Sequence, residues 1–365
     1  MKINKLFFLA IAGIFSLASC SNDIESNSYT PKGDYDSGIL VLNEGKFSDD
    51  NDAEVTYLSF DLSEVNHEIF KTENPTQELG DVAQSIGFNG DLAYIVVNNS
   101  NKIEVVNRYT FKKVGSINSG LSFPRYIAFA NGKAFVTNWN SQFGGSGYVS
   151  VINLASNSVE STITVADNPN KIIEQNGKLY VAHNDLGQLG NSITVIDPTS
   201  LSVSGSIAVG DRPDMMQVDD SGFLWVSCNG KSSYPVAADE NAGKIVKIDL
   251  SSQTVLKTFT LSENTLHVDN FSVYGNNLFY TVGKDVFKMP LTATDLPTTK
   301  AFTSSAQSIY GFAVRNNRIY IADAKSYNEN GQALIYSSGD GGVAIGTLLR
   351  TIETDVIPNG FYFNL

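Results

Sequence analysis

The sequence predicts an all-β protein, a seven-bladed β-propeller with four antiparallel strands in each blade. The first observation is a short phrase that recurs along the chain, as in GKLYVAHN (177–184), GKAFVTNW (132–139) and GFLWVSCN (222–229). Its large apolar residue falls at spacings of 54, 41, 45, 45, 54 and 41, at Leu40, Tyr94, Phe135, Tyr180, Trp225, Phe279 and Tyr320. Seven units of this length are typical of four-stranded propeller blades. The second observation is that the apolar runs are short, alternating and rich in β-branched and aromatic residues, with no helical period.

Each repeat divides into four strands. In the repeat that begins at Pro169, we predict strands, from inner to outer, over 169–175, 178–183, 192–197 and 203–209. The Asn176-Gly177 pair between the first two strands is typical of a two-residue hairpin, whose turn needs positive φ. The third strands, such as KIEVVN and SITVID, end in Asn or Asp, which favour the start of a turn.

The two ends of the chain predict how the ring closes. The last segment, PNGFYFNL (358–365), aligns with the inner strands but has no strand after it, whereas GILVLNEG (38–45) aligns with a second strand. We therefore expect one blade to combine a C-terminal inner strand with three N-terminal strands, over about residues 39–72. This arrangement leaves no open sheet edge inside the ring.

The first residues are typical of a targeting segment. Basic residues precede an apolar run too short to span a membrane, and LASC (17–20) resembles a bacterial lipobox, in which cleavage precedes a lipidated Cys20. We expect a signal peptide over 1–19, a flexible polar tether over 20–36 and a propeller over 37–365. The alternative is an ordinary secretory signal. Asp23 and Glu25 resemble a surface-export signal of Bacteroidetes-type lipoproteins, although acidic residues are common in solvated tethers.

Composition restricts the partners. A net charge of −13 and a pI near 4.7 argue against nucleic acid or an anionic lipid surface as the main partner, because both need a basic face. Membrane contact is therefore expected only through the lipid anchor. Cys228 is the only other cysteine, so no internal disulfide is predicted.

Loop lengths point to one end of the ring. The loops that join strands two and three are long and unequal, as in 228–243, whereas the other hairpin loops are short. We call the end that carries these loops the long-loop end; the entries into the inner strands lie there too. Variable loops on a rigid scaffold commonly carry binding sites.

The long-loop end supplies the candidate ligand-binding residues. Aromatic side chains beside amide and hydroxyl groups suit a large, flat ligand that carries many amides. The competing interpretation is that the Asn and Gly residues form turns and the aromatic residues pack loops together. The candidates are Phe47, Gln84, Arg125, Tyr126, Trp139, Phe143, Asn170, Lys171, His183, Asp214, Met215, Tyr234, Asp269, Asn270, Tyr310, Tyr327 and Asn359.

Catalysis has little support, and the sequence predicts a protein that is not an enzyme, with no metal and no cofactor. His183 and His267 can share the long-loop end and His67 is placed at the opposite end, but none has a partner at metal-ligand spacing. The acidic run 48–54 lacks the spacing of a calcium loop. No nucleophile or phosphate-binding motif occurs, and Asp214 and Asp269 are too few for a lactonase-like metal site.

The repeats resemble a known family. The phrases VSVINLASNSVESTITVADNPNKI and ITVIDPTSLSVSGSIAVGDRPDMM are similar to the YncE-like seven-bladed propellers, whose repeats run V-x-V-I-D, a turn, and a T-I-x-V-G-x-x-P linker. The similarity covers 37–365 and is clearest over 91–260. The last two blades depart from it, with VFKMPL and LIYSSG in place of the V-I-D signature. Such a repeat specifies a fold rather than an activity.

Lipobox, acidic tether and ring together resemble the BtuG-type lipoproteins of Bacteroidetes. This resemblance implies an outer-membrane, lipid-anchored protein at the cell surface that captures a corrinoid such as vitamin B12 and delivers it to a TonB-dependent transporter. The corrinoid is then a transported ligand rather than a cofactor. The alternatives are another large ligand (a siderophore or peptide), a protein-interaction module and, with less support, a lactonase-like hydrolase.

Overall fold

A computed structural model describes residues 30–47, 51–143, 145–184 and 190–365 of the chain. One compact unit runs from Lys32 to Leu365. The predicted signal peptide, Cys20, Asp23 and Glu25 lie outside the described residues. Within the described part, no helix is long and apolar enough to cross a membrane.

The described chain forms seven sheets of four antiparallel strands, which confirms the predicted seven-bladed propeller. Six blades are built from consecutive strands and are numbered one to six along the chain. The elements that precede them are β1 Gly38–Asn43, β2 Glu54–Ser59, β3 Val65–Asn66 and the short helix α1 Ile69–Glu73. Blades one to three contain β4 Ala83–Asn89, β5 Leu92–Val97, β6 Lys102–Asn107, β7 Lys113–Ile117, β8 Pro124–Ala130, β9 Lys133–Asn138, β10 Tyr148–Asn153, β11 Ser158–Thr164, β12 Pro169–Gln175, β13 Lys178–His183, β14 Ser192–Asp197 and β15 Ser202–Ala208. Blades four to six contain β16 Pro213–Val218, β17 Phe223–Cys228, β18 Lys244–Asp249, β19 Thr254–Thr260, β20 Asn270–Tyr274, β21 Asn277–Val282, β22 Asp285–Pro290, β23 Phe302–Thr303, β24 Ile309–Arg315, β25 Arg318–Asp323, β26 Asn330–Ser337 and β27 Leu348–Val356. A 3-10 turn, Ala237–Asp239, lies in the loop before β18, and the last strand is β28 Pro358–Asn364.

The seventh blade closes the ring as predicted. Its strand order is β28-β1-β2-β3, so the C-terminal strand is innermost and three N-terminal strands follow it outward. In the antiparallel register, Gly38 pairs with Asn364 and Leu40 with Tyr362. Because the first and last strands hydrogen-bond to each other, the two ends of the chain are joined within one sheet and the ring is closed.

The core lies between neighbouring blades. The seven large apolar residues that define the repeat all lie on second strands and are at most 1% exposed. One cluster joins Tyr94 of blade one to Val136 of blade two, and another joins Val41 of the closing blade to Tyr320 of blade six. Each second strand is therefore covered on both faces, which explains its continuous apolar sequence.

Local turn chemistry agrees with the sequence pattern. Asn176 and Gly177 both have positive φ, 54° and 73°, as a two-residue hairpin of this type requires. At the end of β14, Asp197 Oδ1 accepts hydrogen bonds from the backbone N–H groups of Thr199 and Ser200, at 2.8 and 3.2 Å. The polar residue that ends a third strand thus holds the turn that follows.

Two features differ from the expectation. The connections 291–301 and 338–347, at the end opposite the long loops, are themselves long, because β23 is only two residues and β27 starts late. In addition, residues 32–36, predicted as tether, pack on the ring. The Tyr35 side chain is 5% exposed, its hydroxyl donates to Glu73, and its carbonyl accepts from Asn364 Nδ2 at 2.7 Å.

Candidate functional site

A cavity of about 1010 Å³ follows the inner strands. Its wall extends from residues that precede the inner strands, such as Asp269, to residues at their far ends, such as Arg315 and Phe363. Gly283 and Lys284, the whole two-residue connection between β21 and β22, also line it. The cavity therefore reaches the long-loop end, where blade five has the shortest connection between its second and third strands. A volume of this size lies at the upper limit of common small-molecule sites.

A repeated β-bulge aims pairs of side chains into the cavity. In blade two, Pro124 pairs with Asn138 and Ile127 with Val136, so Arg125 and Tyr126 together face the single residue between them on β9. Blades three and four repeat this register shift at 170–171 and 214–215. A bulge of this kind re-aims side chains next to a site. It explains why consecutive residues, which would alternate in a regular strand, both line the wall.

Buried hydroxyl groups hold two of these bulges. The Tyr126 N–H donates to Thr137 Oγ1 at 3.1 Å, and the Met215 N–H donates to Ser227 Oγ at 3.1 Å. Thr137 is fully buried and its hydroxyl also donates to the carbonyl of Asn170 at 2.7 Å. Since a buried N–H without a partner is costly, these hydroxyls replace the strand pairing that the bulge removes.

A chain of polar contacts crosses three inner strands. Arg125 Nε donates to Asn170 Oδ1 at 3.0 Å, and Asn170 Nδ2 donates to Asp214 Oδ1 at 3.0 Å. The Arg125 guanidinium lies 4.0 Å from the ring centre of Trp139, and Lys171 Nζ lies 4.5 Å from that of Tyr126. Both distances are within cation–π range. Burial raises the pKa of Tyr126 to about 12, so its hydroxyl stays protonated near neutral pH.

A second polar cluster lies where the ring closes. Glu44 is 8% exposed, and its carboxylate accepts from the Tyr310 hydroxyl at 3.1 Å and from Asn359 Nδ2 at 3.0 Å. Burial raises the pKa of Glu44, while Asn359, Arg125 and Tyr310 oppose that shift. The Glu44 carboxylate in turn raises the pKa of Tyr310. This cluster joins the closing blade to its neighbours inside the cavity.

Several polar atoms of the wall lack a hydrogen-bond partner among the described residues. They are Nε1 of Trp139 and the side-chain oxygens of Asn229 and Asn359. Buried polar atoms are nearly always paired in folded proteins. These three are therefore unsatisfied polar atoms of residues that line the cavity.

Most of the sequence candidates line this cavity. The lining candidates are Gln84, Arg125, Tyr126, Trp139, Asn170, Lys171, Asp214, Met215, Asp269, Asn270, Tyr310, Tyr327 and Asn359. Phe47, Phe143 and Tyr234 do not line it; they are 59%, 71% and 77% exposed on long loops around the mouth.

His183 does not line the cavity, in contrast to its prediction as a ligand-binding residue. It is 1% exposed, and its ring nitrogens lie 2.7 Å from the Asp167 carbonyl oxygen and 2.7 Å from Thr194 Oγ1. Burial lowers its pKa. The histidine therefore joins strands of its own blade and has a structural role.

The remaining histidines also have structural partners. His67 lies 3.4 Å from Asp355, just before the closing inner strand, so its predicted position at the opposite end is wrong. His267 Nδ1 lies 2.9 Å from the Asn229 carbonyl oxygen. Over the described ranges, no group of three or more His, Cys, Asp or Glu side chains could hold a metal ion.

Sequence reasoning missed one class of wall residue. The residue that directly follows the second strand lines the cavity in five blades, at Glu44, Trp139, Asn184, Asn229 and Gly283, and only Trp139 was predicted. The signal was present, since all five occupy the same place in the repeat. Arg212, which directly precedes an inner strand, was missed in the same way; its Nε donates to Asn184 Oδ1 at 3.2 Å.

The fold is a seven-bladed propeller, and its cavity is consistent with a ligand-binding or interaction module. Residues 37–346 match the family described as "Domain of unknown function (DUF5074)", and the chain belongs to this family. No curated protein matches the sequence.

Solved structures show the same fold at low identity. The Dos1 propeller superposes with a TM-score of 0.58 at 11% identity, over 92% of this chain and 88% of that one. The hydrazine synthase of Kuenenia stuttgartiensis gives 0.56 at 19% identity, over 74% and 86% of the two chains. The dihydro-heme d1 dehydrogenase NirN in complex with DHE gives 0.56 at 13% identity, over 91% and 76%. At these identities the similarity concerns the fold alone.

Proposed function

We propose that this protein is an outer-membrane surface lipoprotein that captures a corrinoid such as vitamin B12 and delivers it to a TonB-dependent transporter. In this proposal lipidated Cys20 anchors the chain, and the residues after it act as a tether. The propeller binds and releases its ligand without transforming it. The sequence resemblance to BtuG-type lipoproteins suggests the ligand, and the character of the cavity supports it.

The observation that carries the proposal is the amide lining of the cavity. An amide side chain both donates and accepts hydrogen bonds, so a wall of amides complements a macrocycle fringed with amides. Aromatic side chains between them offer flat apolar contact for the macrocycle itself. Eight amides line the wall: Gln84, Asn170, Asn184, Gln217, Asn229, Asn270, Gln307 and Asn359.

Exposed aromatic residues at the mouth support a protein partner. Phe47, Phe143 and Tyr234 lie outside the cavity but on the same end of the ring, and more than half of each side chain is exposed. Exposed aromatics of this kind are enriched in protein interfaces. In this proposal they contact the transporter while the cavity holds the ligand. The same observation favours the second candidate, a protein-interaction module without a small ligand.

Equilibrium dialysis against cyanocobalamin tests the proposal. The chain from residue 21 onward keeps the whole compact unit and needs no lipid. We expect it to retain the red chromophore at micromolar concentration and to melt at a higher temperature with the ligand, since binding to the folded state alone stabilises it. Absence of both effects would overturn the corrinoid proposal and leave the interaction module.

Two exposed tyrosines provide a matched pair of variants. Tyr327 lines the cavity mouth, is 42% exposed and packs edge-on against Tyr310 at 5.5 Å between ring centres. Tyr327→Ala should weaken cobalamin binding by roughly 2- to 10-fold, because it removes the binding free energy of one aromatic contact. Tyr234→Ala, outside the cavity, should leave the affinity unchanged. A larger loss of affinity in Tyr234→Ala than in Tyr327→Ala would show that cobalamin binds at the long loops and not in the cavity.

A further inference from the structure

The cavity is basic although the protein is acidic. Among the described residues, its wall carries five Lys and Arg side chains against three carboxylates. The whole chain has a net charge of −13. An excess of positive charge in a deep concavity of an acidic protein attracts anions to that place.

The three carboxylates of the wall are already engaged. Glu44 accepts from Tyr310 and Asn359, Asp214 accepts from Asn170, and Asp269 accepts from the Gly283 N–H at 2.6 Å. Arg125 and Lys171, in contrast, belong to none of the ion pairs found in the described structure. Neither cation thus has a carboxylate within salt-bridge distance in the described structure, although Glu44 is near enough to interact electrostatically with Arg125, and Asp214 with Lys171.

Arg125 and Lys171 each contact a residue that is next to the other in sequence. They occupy the bulges of the adjacent inner strands β8 and β12. Arg125 is fixed by Trp139 and by Asn170, the residue before Lys171. Lys171 lies over Tyr126, the residue after Arg125. Only the Nε atom of Arg125 has a hydrogen-bond partner within the described residues, so its two terminal nitrogens remain able to donate. Burial lowers the pKa of Lys171, and nearby Asp214 opposes this shift.

We propose that Arg125 and Lys171 form an oxyanion subsite that binds one phosphodiester or carboxylate group of the ligand. The planar guanidinium binds two oxygens of such a group and the ammonium adds a second charge. The inference rests on the proposed function, because it assigns part of the ligand to the same cavity. It states that the ligand is amide-rich and also anionic.

The first test needs no corrinoid. Lysine acetylation of the chain from residue 21 is followed by peptide mass spectrometry in chloride, in inorganic phosphate and in acetate at equal ionic strength. We expect phosphate or acetate to slow modification of Lys171 by about three-fold or more at an anion concentration of twice its dissociation constant. Lys178, half-buried in the same blade but outside the cavity, is the internal control and should react equally in all three salts. Equal rates at Lys171 would overturn the subsite.

The second test uses two corrinoids. Cobalamin carries a phosphodiester, and cobinamide lacks it. We expect Arg125→Gln with Lys171→Met to weaken cobalamin binding by about ten-fold or more, as the loss of charged hydrogen bonds implies. Cobinamide binding should fall by a clearly smaller factor, because cobinamide has no phosphodiester contact to lose, and Lys178→Met should affect neither. An equal loss for both corrinoids, or no loss for cobalamin, would contradict a subsite for the phosphodiester.

The two proposals fail separately. Anion protection of Lys171 without binding of either corrinoid would overturn the corrinoid proposal and keep the subsite for another anionic ligand. Corrinoid binding without anion protection would keep the proposed function and remove the subsite. A stronger effect of acetate than of phosphate would assign the subsite to a carboxylate.

Discussion

Glu54 is a buried carboxylate near the mouth of the ring. It is 6% exposed on β2, and burial raises its pKa from 4.5 to about 8, with smaller contributions in the same direction from Asp355 and Glu68. Its partners within the structure include the Val55 N–H, at 3.3 Å. The side chain is thus protonated in the folded protein over much of the range in which the unfolded chain is ionised.

This difference predicts how stability changes with pH. Between pH 4.5 and 8 the folded state holds a proton that the unfolded state has released, so the free energy of unfolding falls as pH rises through this window. Glu54→Gln keeps the shape and removes the charge, and should stabilise the protein by about 1–3 kcal/mol at pH 9. Urea unfolding of the wild type and of Glu54→Gln at pH 5 and pH 9 measures the two free energies of unfolding. Glu263→Gln, an exposed residue in the connection between β19 and β20, should change nothing. If Glu54→Gln leaves the dependence of the unfolding free energy on pH unchanged, the assignment to Glu54 is refuted.

At the residue scale, the sequence predicted the inner-strand part of the site better than the loop part. Gln84, Arg125, Asn170 and Asp214 could be predicted because each follows the start of an inner strand. The prediction of His183 missed the cavity-lining position by one residue, because Asn184 lines the cavity and His183 does not. The last residue of a second strand bonds across to the third strand, as Asn138 does with Ser150 Oγ at 3.0 Å, and the next residue faces the cavity.

At the scale of elements, the inner strands combine regular pairing with a bulge at their entry. The predicted strand over 169–175 matches β12, yet the bulge inside it was not predicted. In the equivalent bulges of blades two and four, the hydroxyl that satisfies the freed N–H comes from the second strand, at Thr137 and Ser227, whereas Ala182 faces the bulge in β12. A pattern within one strand cannot reveal a partner that only the fold brings near.

The bulge gives a prediction for Thr137. Thr137→Val keeps the volume of the side chain but leaves the buried Tyr126 N–H and the Asn170 carbonyl without this hydroxyl. We expect the free energy of unfolding to fall by about 1–3 kcal/mol, measured by urea denaturation. Thr258→Val on an outer strand, where the side chain is exposed, is the matched control and should stay within about 0.5 kcal/mol. Equal effects of the two changes would show that the hydroxyl does not hold the bulge.

At the scale of the whole molecule, closure and unequal loops together create the site. The pairing of β1 with β28 was predictable because two orphan segments, one at each end of the chain, complete one repeat. The long connections 291–301 and 338–347 were not predicted, since blades five and six lose the repeat signature on which the division into strands depended. The ring thus has loops of some length at both ends, and the cavity lies along the inner strands between them.

A crystal structure of the protein with bound cyanocobalamin tests the central proposal most directly. We expect the corrinoid in the cavity, over the entries of the inner strands, with its phosphodiester within hydrogen-bonding distance of Arg125 and Lys171. A corrinoid bound at the opposite end, beside 291–301 or 338–347, or a cavity that stays empty under saturating ligand, would contradict it.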